Sequence, residues 1–272
     1  MKKLFLLLLS FNLLVAGYAQ DKNAGSPKTK REKRKEEKQK RINEIIRQEE
    51  EGVITFKKHF VFGAKLTTDG YGGFLEMGRA KTLKKGMLYQ LEITERKHPK
   101  EEKIQSLALN NSYPFVFGKM NFFYPVKLGV QQQILLGNKG NKNGVSVTGN
   151  IGGGLALGLL RPYEVQIQDS TGNLKYITYE SDSLAYADAY LHGAIVSGPS
   201  LGRGWSGLKF KPGIYAKAAV RFDYGQYNEM VNALEIGLVG EFYAQKIPQM
   251  IYNKQKQFFL TAFVAIVLGK RK

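Results

Sequence analysis

Cysteine is absent from the 272-residue sequence. This absence excludes a disulfide framework, a thiolate metal site and a lipid anchor attached through cysteine. Histidine is scarce: His59, His98 and His192 are the only three, and none has the spacing of a metal-binding motif. Beyond the N-terminus, no run of about 18 apolar residues is present to form a transmembrane helix. The sequence therefore predicts neither a cofactor nor a helical membrane span.

The first 19 residues have the pattern of an export signal. Lys2 and Lys3 precede an apolar run from Leu4 to Val15, and a small residue stands at Ala19. A charged start, a short apolar run and a small-residue cleavage site are typical of a secretory signal peptide. The run is too short to span a membrane comfortably. We therefore predict that residues 1–19 direct export and are cleaved near Ala19.

The formal net charge of +18 bears on the partners of this chain. In an exported protein, anionic lipid headgroups, lipopolysaccharide phosphates or acidic protein surfaces are the expected partners, and nucleic acid is not. Much of the charge lies in residues 20–52, where opposite charges recur at helical spacing, as at Glu36 and Lys40. This composition predicts a flexible or partly helical periplasmic arm. In an alternative interpretation the basic stretch 28–41 docks onto a partner.

From Val53 to the C-terminus the sequence alternates with a period of two. The pattern is clearest from Val145 to Leu160, where apolar residues alternate with small or polar ones. Such alternation predicts strands with one apolar face and one face of small or polar residues. The predicted strands cover approximately residues 55–67, 74–83, 87–97, 122–136, 145–160, 209–223, 233–245 and 258–268, with a tight turn at 69–73.

Strands of this length and pattern are typical of a transmembrane barrel. We predict that residues 53–272 form an all-β, antiparallel, up-and-down barrel of about eight strands. The connections after the third, fifth and seventh strands are long and are expected outside the cell. The longest, 161–207, contains a hairpin signal at 163–179, so a barrel of ten strands remains an alternative.

The predicted inward positions carry charges of both signs, so that ion pairing can offset desolvation inside the barrel. An eight-stranded barrel is just wide enough to be filled by side chains, and we predict a plugged lumen. A soluble barrel is disfavoured because it would expose a large apolar surface to water. The predicted lumen residues are Lys65, Glu76, Glu92, Lys127, Lys217, Arg221, Glu235 and Glu241.

Little in the sequence indicates catalysis. His192 has serines and acidic residues nearby in sequence, but no nucleophile-elbow motif accompanies it. The loop 161–207 is either a surface loop over the barrel mouth or a partner-binding element. In the second case Trp205, Arg203 and Tyr190 are the predicted contacts.

Three segments resemble small outer-membrane β-barrel proteins of Bacteroidota, a family without an assigned activity. They are KFKPG at 209–213, IPQM at 247–250 and the closing stretch QFFLTAFVAIVLGKRK at 257–272. The resemblance extends over roughly residues 53–272. It implies an outer-membrane location and a barrel fold, and it implies no particular activity.

The leading hypothesis is a non-enzymatic outer-membrane barrel with a filled polar lumen. It would act as a structural or accessory subunit of an outer-membrane assembly, in contact with outer-membrane lipid and with another protein through the arm 21–51 or the loop 161–207. One alternative is an outer-leaflet lipid-modifying enzyme that uses His192 with a nearby serine. Another is a barrel for small solutes or adhesion.

Overall fold

A computed structural model describes residues 34–40, 58–82, 84–104, 113–139, 144–168, 171–180, 183–191, 195–200, 202–225 and 230–271. The chain divides into two units, Met1–Arg47 and Gln48–Lys272. In the first unit, residues 34–40 form an exposed helix, α1. The predicted signal peptide and the rest of the predicted arm lie outside the described residues. No helix in the described ranges is long and apolar enough to cross a membrane.

The second unit consists mainly of antiparallel strands. In chain order they are β1 (Lys58–Thr67), β2 (Gly70–Ala80), β3 (Lys85–Arg96), β4 (Lys103–Ile104), β5 (Phe115–Val116), β6 (Asn121–Gly137), β7 (Ser146–Pro162), β8 (Val165–Gln168), β9 (Leu174–Ile177), β10 (Ile195–Ser197), β11 (Lys209–Asp223), β12 (Met230–Ile247) and β13 (Lys256–Arg271). Helix α2 (Ser183–Leu191) precedes β10, and a 3-10 turn (Trp205–Gly207) precedes β11.

Eight of these strands close into one barrel, in the order β1-β13-β12-β11-β7-β6-β3-β2. Each barrel strand pairs antiparallel with the barrel strand that follows it along the chain, and β13 pairs with β1 to close the sheet. The predicted up-and-down barrel of eight strands is confirmed. The alternative of ten strands is wrong, because β8 and β9 pair in a separate three-stranded sheet with β10.

The barrel wall has a buried inner face, which mixes charged and apolar residues, and an exposed outer face, which is mostly apolar. In β1, Val61 and Lys65 are buried, whereas Phe62 and Leu66 are 52% and 69% exposed. The same alternation runs through β13. Since successive side chains of a strand point to opposite faces, the period of two in the sequence sorts the residues between lumen and outer wall.

The connections are short at one end of the barrel, and three of the four at the other end are long. At the turn end, which also holds both strand termini His59 and Arg271, the connections are 81–84, 138–145 and 224–229. At the loop end they are 68–69, 97–120, 163–208 and 248–255. This asymmetry matches that predicted from the sequence.

The tight turn predicted at 69–73 is wrong. The chain turns at Thr68 and Asp69, and β2 begins at Gly70. Gly70 and Gly72 are strand residues that lie against the β3 backbone, where a Cβ atom would overlap a carbonyl oxygen. These glycines therefore allow β2 and β3 to pack closely, and they do not form the turn.

Candidate functional site

The lumen contains two ion-pair clusters, and the first lies toward the turn end. Arg221 makes two parallel bonds to Glu76, at 2.7 and 2.8 Å, and its Nε donates to Glu235 at 2.7 Å. His59 lies 3.3 Å from Glu76, and the Asn150 amide donates to Glu235 at 3.2 Å. Both carboxylates are fully buried. Such paired contacts are needed to keep buried carboxylates charged.

Lys217 connects this cluster to the middle of the lumen. Its Nζ lies 2.6 Å from Glu235 and donates to Gln90 at 3.1 Å. Gln131 also donates to Gln90. The middle layer therefore consists of amides and one lysine, which join the charged layers on either side of it.

The second cluster lies toward the loop end. Glu92 lies 2.8 Å from both Lys65 and Lys127, and Lys127 continues at 2.8 Å to Glu241. Arg96 donates twice to Glu241, at 3.0 Å each. Each carboxylate in this cluster thus faces two cations. Asp69, 2.6 Å from Arg96, supplies a third negative charge to the three cations.

Aromatic rings close the lumen beyond the second cluster. The Arg96 guanidinium lies 4.8 Å from the centroid of the Phe259 ring and 5.6 Å from that of Phe123. Phe123 packs edge-on against Tyr243 at 5.5 Å. Gly158 makes room for both rings, because a Cβ atom there would lie 2.9 Å from Phe123 and 3.1 Å from Tyr243. Buried charged, amide and aromatic side chains thus follow one another along the lumen from the turn end to the loop end.

The structure places all eight predicted charged residues inside the barrel and joins them in these two clusters. Sequence analysis missed Arg96, His59 and the buried glutamines of β3 and β6. Arg96 could have been found, because it continues the inward alternation of Glu92 and Thr94 to the end of β3. His59 could have been found in the same way, because it precedes the exposed apolar residue Phe60 in the alternation of β1.

A folded cap covers the loop end. It comprises the described residues of 97–120, 163–208 and 248–255, including β4, β5, β8–β10 and α2. The cap has a hydrophobic core of its own, formed by Val116, Tyr163, Val165, Ile167, Ile177, Ala189, Ile195 and Met250. The hairpin predicted within 163–179 is confirmed as β8 and β9.

Backbone hydrogen bonds join the three long connections of the cap. Tyr163 N–H donates to the Met120 carbonyl at 2.8 Å, and Met120 N–H donates to the Gln249 carbonyl at 2.8 Å. Gly198 N–H donates to the Tyr113 carbonyl at 2.8 Å. Because each connection is bonded to another, the cap is one packed unit and not a set of independent loops.

Buried polar groups reinforce this unit. Lys119 pairs with Glu101 at 2.6 Å, and its ammonium lies 4.3 Å from the Phe122 ring. Burial lowers the pKa of Lys119, although Glu101 opposes the change. The Tyr163 hydroxyl accepts a bond from Val116 N–H at 2.7 Å, and burial raises the pKa of Tyr163 to about 12.

Two of the three predicted partner contacts lie on the outside of the molecule. Trp205 is 47% exposed and stacks on Tyr124 at 5.8 Å, with Arg161 4.9 Å from its ring. Arg203 lies 3.9 Å from the Tyr176 ring centroid. Tyr190 belongs to α2, but its side chain lies outside the described residues. Trp205 and Arg203 thus contact different aromatic residues, Tyr124 and Tyr176.

The catalytic alternative, His192 with a nearby serine, lies only partly within the described residues. His192 lies outside the described residues. Ser197 is buried, and its hydroxyl accepts a bond from Tyr113 N–H at 2.9 Å. In the described ranges, no group of three or more histidine, aspartate and glutamate side chains could hold a metal ion. The lumen clusters hold charge in place and offer no exposed nucleophile.

The strand pairing and the filled lumen define a closed eight-stranded antiparallel β-barrel with a folded cap. No protein-family model and no curated protein matches the sequence. Among solved structures, the chain is similar to Neisserial surface protein A (NspA), at 8% identity and a TM-score of 0.37 over 80% of this chain and 97% of that one. It is also similar to Ail, the attachment invasion locus protein of Yersinia pestis, in complex with the heparin analogue sucrose octasulfate. That match has 10% identity and a TM-score of 0.34, over 79% of this chain and 98% of that one.

Proposed function

We propose that this protein is a non-conducting outer-membrane barrel that anchors a folded cap at the cell surface. In this role it is a structural or accessory subunit and not an enzyme or a pore. The observation that carries the proposal is the lumen, in which charged side chains are buried and paired and aromatic rings pack at the loop end.

The membrane location rests on the outer wall of the barrel. Its exposed side chains are mostly large and apolar, including Leu66, Leu128, Leu155, Leu260 and Ile266. Water would make such a surface unstable as a monomer, whereas hydrocarbon favours it. Exposed aromatic residues lie near both ends of the wall, as interfacial aromatic belts do: Phe60 and Tyr224 at the turn end, and Tyr71 and Phe258 at the loop end.

The loop lengths supply the orientation. Short turns face the periplasm and long loops face outward in barrels of this kind, so the cap is extracellular and both strand termini are periplasmic. The arm 21–51 is then periplasmic as well. This arrangement agrees with the proposed signal peptide and with a chain that contacts partners on both sides of the membrane.

Planar-bilayer recording tests the non-conducting barrel. The full-length protein, shown to be folded by its heat-dependent electrophoretic mobility, should give no stable single-channel conductance, while a porin in parallel preparations does. A stable, large conductance in the wild-type protein would show that the packed lumen is wrong and would favour the alternative of a small-solute barrel.

Affinity purification tests the accessory role. Tagged wild-type protein, a variant that lacks 21–51 and a cap variant, Leu174→Glu with Leu184→Glu, are extracted gently from outer membranes. Both leucines are exposed on the cap, at 51% and 83%, and Thr171→Glu with Ser183→Glu is the matched control. A stoichiometric partner lost with one variant and kept with the control supports the proposal. A barrel that purifies alone in every sample contradicts it.

A further inference from the structure

A cleft of about 290 Å³ opens at the loop end of the barrel wall. The turn after β1, the start of the 97–120 connection, the end of β12 and the start of β13 form its walls. Five basic residues line it: Arg96, Lys97, His98, Lys254 and Lys256.

The carboxylates around the cleft are already engaged. Asp69 lies 2.6 Å from the Arg96 guanidinium, and Glu101 lies 2.6 Å from Lys119. Among the described residues, by contrast, no carboxylate lies within 4.0 Å of the Nζ atoms of Lys97, Lys254 or Lys256. The cleft therefore has an excess of positive charge that its own walls do not neutralise.

The cleft is also partly apolar, and two of its lining residues lie on the outer wall of the barrel. Phe258 and Leu260 line it and are exposed on the outer wall of β13. Next to it, the Lys97 ammonium lies 5.2 Å from the ring of Tyr71, which belongs to the aromatic belt at this end. Lysines beside aromatic and apolar side chains at this height are placed where lipid headgroups meet acyl chains.

We propose that this cleft binds the phosphate of an anionic glycolipid in the outer leaflet. Lys97, Lys254 and Lys256 contact the phosphate, while Phe258 and Leu260 contact the first carbons of an acyl chain. The ligand supplies the negative charge that the protein lacks here, and the binding holds the cap side of the barrel at a fixed depth in the outer leaflet.

His98 provides a readout that is specific to the cleft. Its Nδ1 accepts a bond from Lys100 N–H at 3.2 Å. Burial lowers the pKa of His98, and Lys256, Lys100 and Lys119 lower it further against the opposing effect of Glu101. A bound phosphate favours the protonated imidazole and must raise this pKa.

The test uses the full-length protein in phosphatidylcholine nanodiscs that contain a bisphosphorylated glucosamine disaccharide lipid or its dephosphorylated form. Histidine-labelled protein is titrated by NMR, with His98→Gln to assign the signal, and lipid retention is measured by native mass spectrometry. The variant is Lys97→Gln with Lys254→Gln and Lys256→Gln. The matched control, Lys81→Gln with Lys84→Gln and Lys85→Gln, removes three exposed lysines from the opposite rim.

We expect the phosphorylated lipid to raise the pKa of His98 in the wild type and in the control. Its retention should fall by about ten-fold or more in the cleft variant, because each lysine near a membrane surface contributes several-fold to anion binding. Equal retention of the dephosphorylated lipid would overturn the proposal, as would an equal loss in the control. Binding of inorganic phosphate as tight as that of the lipid would assign the cleft to a free anion and overturn the lipid assignment.

Discussion

Replacement of Arg221 by methionine tests whether the lumen network holds the barrel together. Methionine has a similar length and retains most of the packing, so the change removes mainly the charge and its hydrogen bonds. Glu76 then keeps only its contact with His59 at 3.3 Å. Glu235 keeps Lys217 at 2.6 Å and Asn150 at 3.2 Å.

The magnitude follows from the burial of Glu76, which is 0% exposed. Removal of one partner of a buried ion pair costs about 3–5 kcal/mol, because a charge is left without compensation. Since Arg221 makes two parallel bonds to Glu76, we expect a loss of about 4 kcal/mol in the free energy of unfolding.

A double-mutant cycle separates the ion pair from general damage. Unfolding in urea is followed in lipid bilayers by tryptophan fluorescence and by heat-dependent electrophoretic mobility. The variants are Arg221→Met, Glu76→Gln and the combination of both, with the exposed Arg79→Met as control. The double variant should be more stable than Arg221→Met alone, because it removes the uncompensated charge.

Two results would refute this reasoning. One is additivity, in which the double variant loses the sum of the two single losses. The other is an Arg221→Met variant as stable as Arg79→Met, which would mean that water or another cation compensates Glu76 and that the lumen is not dry and closed.

Three further predictions concern packing, the cap and its tryptophan. Gly158→Ala should destabilise the barrel by about 1–3 kcal/mol in urea titrations, because the added Cβ would lie 2.9 Å from the ring of Phe123 and 3.1 Å from that of Tyr243. Gly137→Ala is the control and should leave the stability unchanged, since the nearest atom to its Cβ lies at 3.9 Å. Burial raises the pKa of Tyr163 from 10.0 to about 12. The protection of cap amides against hydrogen exchange should therefore be full below pH 10 and fall as the pH rises from about 10 to 12. The Tyr163→Phe variant should lack this pH-dependent loss of protection. Tyr124→Ala should increase acrylamide quenching of Trp205 fluorescence without altering the mobility of the folded barrel; unchanged quenching would contradict the stacking.

The barrel could be predicted because its strands are buried on one face only. The exposed apolar side chains of β7 and β11 alternate with inward residues almost without interruption, so the period of two was visible for each strand alone. The turn at 69–73 failed for the opposite reason. Glycines occur both in turns and where strands approach closely, and only the pairing of Gly70 with Arg96 distinguishes the two cases.

The pairing of charges inside the lumen could not be predicted. Glu76 and Arg221 are 145 positions apart, and they meet across the lumen because closure of β13 onto β1 fixes the stagger of every strand. The alternation in the sequence assigns each residue to the inner or outer face of the barrel, but it does not give the position of that residue along the barrel axis. The cap and its cleft were missed for a related reason, since their contacts join three connections whose strands are short and irregular.

The lumen charges also explain why the barrel has one register. A slip of one residue in β11 would turn Arg221 and Lys217 toward lipid and bring apolar residues into the lumen. In the proposed membrane location, each such cation on the outer wall costs about 2–4 kcal/mol, in addition to the carboxylates left unpaired inside. A network whose carboxylates all face cations in one register, and lose them in the slipped one, therefore favours a single register of the barrel.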